Sequence, residues 1–275
     1  MVELTIPEEL IDEWIREDVG PFDLTTFTLG IEDKPGEAEV ILREEGVVCG
    51  LREAARVYQK VGAEEIELIE EGKEAKDIVM RIRGPAGSLH KAWRVAQNIV
   101  ALASGVATYT RMMIKKAKKV NPKIKIIVVR KAPPCRWLYY KGVICGGGSL
   151  HRTSLSDTVV LFKNHVVFTG LEEALKRLKE SDYVWDKKIV IEVENLEEAL
   201  KVADYGFDMQ VDHLAPSELR LIYEKVKERN PSVRVLASGG IKLENVEEYA
   251  FVDAILTSAP YWARPLDVTT KMAPL

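Results

Sequence analysis

Charged and small polar residues recur in this chain at one kind of place, directly after short runs rich in β-branched residues. Residues 124–129 (IKIIVV) end in Arg130-Lys131, 156–162 in Lys163-Asn164-His165, and 187–191 in Glu192-Val193-Glu194. Further on, 207–211 end in Asp212-His213, 233–237 in Ser238-Gly239-Gly240, and 252–256 in Thr257-Ser258. Such runs, bounded by turn residues, read as buried strands, so the polar residues stand at strand ends. Their types suit polyanion chemistry. Carboxylates such as Glu192 and Asp212 can take a divalent cation through oxygen, free amides of Ser238-Gly239-Gly240 can cradle a phosphate, and arginine forks match carboxylates bidentately.

The elements that must position these residues follow from the segments between them. Helical patterns fill 172–180, 196–205, 216–229 and 243–250, so strand, polar end and helix repeat about six times. That repeat predicts an α/β fold, a parallel β/α barrel, TIM-like and complete or incomplete, with the polar ends converging on one mouth. Upstream the alternation is absent. An amphipathic helix is expected over 6–17, with Leu10, Ile11, Trp14 and Ile15 on one face. In the turn-rich 20–26, Asp23 either caps backbone or meets a phosphate. Strands are expected at 37–44, 46–50, 66–71 and 77–84, a helix at 51–61, and a long helix over 88–108 with Gly105 near its end. The expected division is an N-terminal α+β sandwich domain with its linking helix, 1–110, and a barrel domain, 111–275, whose C-terminal tail has the option of packing back on the first.

Composition narrows the class of partner. The 275 residues carry 43 acids against 39 Lys plus Arg, a net charge of −4, which gives no reason to expect nucleic acid or an anionic membrane. The start is acidic and without a secretory signal pattern, no apolar window is long enough for a span, and Cys49, Cys135 and Cys145 are odd in number without CxxC spacing. A cytoplasmic protein with free thiols is expected.

With the segments side by side, the chain resembles the quinolinate phosphoribosyltransferase (nicotinate-nucleotide pyrophosphorylase) family. The resemblance is carried by Asp23-Leu24-Thr25-Thr26, Arg94-Val95-Ala96-Gln97-Asn98, Ser104-Gly105-Val106-Ala107-Thr108, Arg130-Lys131, His151-Arg152 after Gly146-Gly147-Gly148, Glu192 to Ala199, Asp212, and Ser238-Gly239-Gly240-Ile241. Within the family it is most similar to the ModD branch, through Ala92-Trp93-Arg94, Leu155-Ser156-Asp157 and Thr257-Ser258-Ala259-Pro260-Tyr261. The resemblance implies transfer of phosphoribose from phosphoribosyl pyrophosphate to quinolinate with Mg2+, giving nicotinate mononucleotide, carbon dioxide and pyrophosphate for NAD biosynthesis. It also implies a homodimer with shared active sites, or a larger assembly of such dimers. It assigns Lys131, Glu192 and Asp212 to catalysis, the two carboxylates also to the metal, and Arg94 (from the partner subunit), Arg130, His151, Arg152, Lys163, Ser238, Gly239, Gly240 and Ser258 to substrate.

Three departures touch the acceptor. Phe162-Lys163-Asn164-His165 replaces a Lys-Asp-Asn-His run, moving the cation one position and hence to the opposite strand face; Ala132 and Pro133-Pro134-Cys135-Arg136 alter the following loop; and His213 replaces an asparagine after Asp212. A pocket with one cation fewer and Phe162 added fits an acceptor less charged than quinolinate. Two further readings follow: a phosphoribosyltransferase with another aromatic acceptor, linked to molybdate or tungstate handling, and a non-catalytic homologue that binds phosphate or an oxyanion. Retention of Lys131, Glu192 and Asp212 speaks against the last, since phosphate binding alone needs only amides and arginines.

Overall fold

The computed structural model describes residues 4–275; Met1, Val2 and Glu3, at the start of the expected first domain, lie outside the described residues. In chain order the elements are α1 (Glu8–Val19), α2 (Leu24–Leu29), β1 (Pro35–Val47), α3 (Leu51–Lys60), β2 (Glu65–Leu68), β3 (Glu74–Pro85) and α4 (Ala86–Val120). There follow β4 (Lys125–Val128), α5 (Arg136–Cys145), β5 (Ser149–Leu150), β6 (Val159–Leu161), α6 (Lys163–Thr169) and α7 (Leu171–Glu180). Then come β7 (Ile189–Val193), α8 (Leu196–Tyr205), β8 (Asp208–Asp212), α9 (Pro216–Arg229), β9 (Val235–Ser238), α10 (Val246–Tyr249), β10 (Ala254–Thr257) and β11 (Val268–Pro274). The chain divides into two compact units, one made of Met1–Arg111, Ala132–Gly147 and Pro260–Leu275, the other of Met112–Lys131 and Gly148–Ala259.

The first unit holds an antiparallel sheet in the order β11-β1-β3-β2. Ala38, Val40 and Leu42 of β1 are fully buried, while Glu37 and Glu39 on its other face meet their register partners Arg83 and Arg81 at 2.9 and 3.0 Å. Exposed pairs of this kind add little stability, but the alternation fixes which face is core. Two glycines that the sequence presents as punctuation are packing notches instead. Gly46 lies inside β1, where a Cβ would stand 2.8 Å from Thr108 Oγ1, so the two expected strands are one. Gly105 lies inside α4, whose 35 residues run well past the expected end; there a Cβ would enter the backbone of Arg264 and Pro265. Residues from all three segments, among them Val40, Val57, Val100, Leu138, Cys145 and Val268, share one buried core.

The second unit holds a parallel seven-stranded sheet in the order β5-β4-β10-β9-β8-β7-β6. The edge strands β5 and β6 are not paired to each other, so by its hydrogen bonds the barrel is an open one. Its seventh strand, β5, is two residues long and follows a glycine run, too short to show as a β-branched run. The other strands begin later than the apolar runs that signal them. In a parallel sheet register partners point to the same face, and that rule builds the site.

Candidate active site

Glu192 stands opposite Gln210, and Asp212 opposite Ser238, so four polar side chains share one face across β7, β8 and β9. Gln210 Nε2 donates to Glu192 Oε2 at 2.8 Å, and Ser238 Oγ donates to Asp212 Oδ1 at 2.7 Å. Each carboxylate is therefore aimed by its neighbour and keeps a second oxygen. Glu192 Oε1 is reached by the Lys163 backbone N–H at 3.4 Å, and Asp212 Oδ2 lies 3.8 Å from His213 Nε2. The same face continues through Leu236, Ala254 and Leu256, an apolar floor against which Ile127 and Val129 pack.

On the other side of that floor stand cations. The β4 strand leads to Arg130 and the exposed Lys131, and β5 leads to His151, whose N–H donates to the Val128 carbonyl at 3.0 Å. Arg130 Nε and His151 Nε2 are buried without a hydrogen-bond partner. Burial pushes the His151 imidazole down to about 4, with Lys188 and Arg152 adding to the effect, so the ring is neutral at pH 7. Burial also lowers Arg152, helped by the charge of Arg130. Arg152 Nη1 donates to the Thr158 carbonyl at 3.4 Å, and its guanidinium lies 5.7 Å from the Phe162 ring centroid. Buried polar nitrogens are ordinarily satisfied. Two orphans beside a second guanidinium describe a place shaped for an acceptor-rich anion.

The glycine segment is a backbone device. Gly239 and Gly240 have φ of 88° and 68°, which favours glycine, and a Cβ on Gly239 would stand 2.5 Å from the backbone N of His213, itself left-handed at φ 55°. The helix expected to start at Leu243 is only Val246–Tyr249, because Asn245 turns back on the loop, accepting from Lys242 N at 2.8 Å and donating to the Gly240 carbonyl at 3.3 Å. The expected phosphate cradle would thus rest on the glycine backbone and not on a helix start. Ser258, half-buried, directly follows β10.

The remaining candidates lie outside this face. Strand β6 ends at Leu161, so strand alternation does not govern Lys163, which opens α6; its Nζ is 2.5 Å from Glu194 Oε2, with 64% of the side chain exposed. That bond holds the ammonium above its usual range. Arg94 lies in the first unit, on the exposed face of α4, with its guanidinium 4.8 Å from the Trp93 ring centroid. Asp23 caps α2, accepting from the N–H groups of Thr25 and Thr26 at 3.0 and 3.2 Å. Gln210 was missed by sequence reasoning; its signal is a buried amide two positions before Asp212 on one strand face. Among the described residues no group of three or more His, Cys, Asp or Glu is placed to hold a metal ion. Two carboxylates on adjacent strands fit Mg2+ in its usual manner, shared with waters and substrate phosphates, and do not fit a closed protein cage.

No helix among the described residues is long and apolar enough to cross a membrane. Residues 23–104 match the quinolinate phosphoribosyl transferase N-terminal domain, and 106–271 match its C-terminal domain. The chain is 32% identical over 269 residues to a pyrophosphorylase ModD of Pasteurella multocida, covering 94% of each. It is 32% identical over 275 residues to a protein of Methanothermobacter thermautotrophicus named as a carboxylating nicotinate-nucleotide pyrophosphorylase, covering 96% of this chain and 98% of that one. The solved structure of the nicotinate-nucleotide pyrophosphorylase from Francisella tularensis matches with a TM-score of 0.90 at 25% identity, over 98% of each chain. With both domain models matched across nearly the whole length, the chain belongs to the quinolinate phosphoribosyltransferase family, a family of pentosyltransferase enzymes.

Proposed function

We propose that this enzyme transfers phosphoribose from phosphoribosyl pyrophosphate to quinolinate, releasing pyrophosphate and carbon dioxide and yielding nicotinate mononucleotide. The observation that carries the reading is the pair of buried nitrogens without a partner, Arg130 Nε and His151 Nε2, in the unit whose strand ends also carry Glu192 and Asp212. In this reading Arg130, His151 and Arg152 take the acceptor carboxylates, with Arg94 reaching in from a second copy of the chain in a homodimer. Glu192 and Asp212 face the ribose hydroxyls and offset the positive charge that grows on the sugar as the bond to pyrophosphate breaks. Lys131 meets the donor's phosphates, and the Ser238-Gly239-Gly240 amides with the Ser258 hydroxyl hold its 5′-phosphate. Bound Mg2+ would neutralise the leaving pyrophosphate, held by Glu192 and Asp212. Lys163 is given no substrate contact, because Glu194 already holds its ammonium.

A specific observation favours a second acceptor. The Phe162 ring occupies the space in front of Arg152, where a cation would suit a second carboxylate; an aromatic monocarboxylate fits that arrangement as well. The deciding experiment is a product assay of the purified protein with Mg2+, phosphoribosyl pyrophosphate and quinolinate, with nucleotides separated by chromatography. Nicotinate mononucleotide together with carbon dioxide is the expected result. Donor binding without that product would overturn quinolinate and move the search to less charged aromatic acids.

A further inference from the structure

Cys49 and Cys145, both in the first unit, are 0% and 3% exposed, and their sulfurs lie 2.7 Å apart. Their backbones are held from both sides. Cys49 N donates to Ser104 Oγ at 2.9 Å, Ser104 Oγ donates to the Cys49 carbonyl at 3.1 Å, and Gly50 follows in the left-handed conformation at φ 84°. Cys145 ends α5, and Arg111 clamps that end, Nη2 donating to the Cys145 carbonyl at 3.1 Å and Nε to the Gly146 carbonyl at 2.8 Å. These bonds fix both backbones, and with them the positions from which the two side chains project. The third cysteine, Cys135, is exposed.

We propose that Cys49 and Cys145 are a disulfide-forming pair, joined when the chain folds in the presence of a small-molecule disulfide oxidant. One cysteine thiolate attacks a sulfur of the oxidant and expels the first small thiolate; the second cysteine thiolate attacks the mixed disulfide at the protein sulfur and expels the other. The two cysteines together lose two protons and two electrons, and the oxidant leaves as two thiols. Burial and the neighbouring Cys145 raise the Cys49 thiol well above its ordinary range. The thiolate is the nucleophile, so the exchange precedes complete burial, and the finished bond is then shielded from reductants. The closed loop spans 96 positions. It ties the Ala132–Gly147 segment to the start of the chain, and long loops lose the most denatured-state freedom on closure.

The test uses full-length protein in two preparations, one purified natively in air without reductant and one refolded with oxidised glutathione. Each is denatured and alkylated with iodoacetamide, before and after reduction, and then mapped by peptide mass. A single label at Cys135 before reduction and three labels after it, with the Cys49 and Cys145 peptides linked in either preparation, is the expected result. The linked protein should also melt at a higher temperature than its reduced form, a difference absent in Cys49→Ala. Labels on both Cys49 and Cys145 before reduction in both preparations, or a link through Cys135 instead, would overturn the proposal.

Discussion

His151→Gln separates the pH dependence of folding into a part that belongs to the site and a part that does not. In the folded chain the imidazole is pushed down from 6.5 to about 4, chiefly by burial. Between those values the unfolded chain binds a proton that the folded chain refuses, so stability present above pH 6.5 is lost as pH falls and the loss is complete below about 4. The full interval corresponds to about 3 kcal/mol. Residual solvent contact reduces this, and about 2 kcal/mol is the expected size. Glutamine keeps a polar amide and does not titrate. Urea unfolding of parent and variant at about pH 7, 5.5 and 4, followed by circular dichroism, should show the parent losing about 2 kcal/mol more than the variant across that range. Parallel losses would refute the assignment of a buried, neutral ring. The same logic predicts proton uptake when an anion docks on His151 below neutrality, measurable by calorimetry in buffers of different ionisation enthalpy.

Three other substitutions test separate parts of the structure. Asp212→Ala should leave circular dichroism unchanged and lower turnover by at least about 100-fold, since it removes a carboxylate fixed by Ser238; retained activity would remove Asp212 from the mechanism. Phe162→Lys should raise the preference for a dicarboxylate over a monocarboxylate acceptor by about tenfold, the worth of one charge-assisted hydrogen bond, and an unchanged kcat/KM ratio would discard the charge argument. Lys141 is buried in contact with Glu53, also buried, and lies 3.0 Å from the half-buried Glu71. Lys141→Ala leaves the buried Glu53 carboxylate without its cation and should cost about 3–5 kcal/mol by urea unfolding; a cost below about 1 kcal/mol would show that water reaches it.

The parts legible in sequence are those whose signals are local. Helices α8 and α9 have the limits expected because their punctuation is chemical: Asn195 accepts from Glu198 N at 2.9 Å, Gly206 is left-handed at φ 77°, and Pro216 opens α9. The strand-end carboxylates and glycines were visible for the same reason. The packing roles of Gly46 and Gly105 have no local signal, because the atoms that exclude a side chain there belong to Thr108 and Leu266 for the first and to Arg264 and Pro265 for the second, all more than sixty positions away. Lys163 was misplaced because strand alternation was carried past Leu161, where the chain already turns into a helix. The orphaned nitrogens of Arg130 and His151 have no sequence signal, since burial without a partner is a property of the packed chain.

The three-part composition of the first unit bears on how the polypeptide emerges from the ribosome. Strand β11 covers the outer edge of β1, with Gly36 paired to Pro274 at one end and Leu42 to Val268 at the other. Until β11 has emerged, β1 is an open edge in a thirteen-residue strand, the kind of surface on which nascent chains pair with one another. The second unit, threaded between the second and third of those pieces for most of its length, can acquire its own sheet first. Loss of residues 268–275 would therefore leave β1 with a permanently adhesive margin.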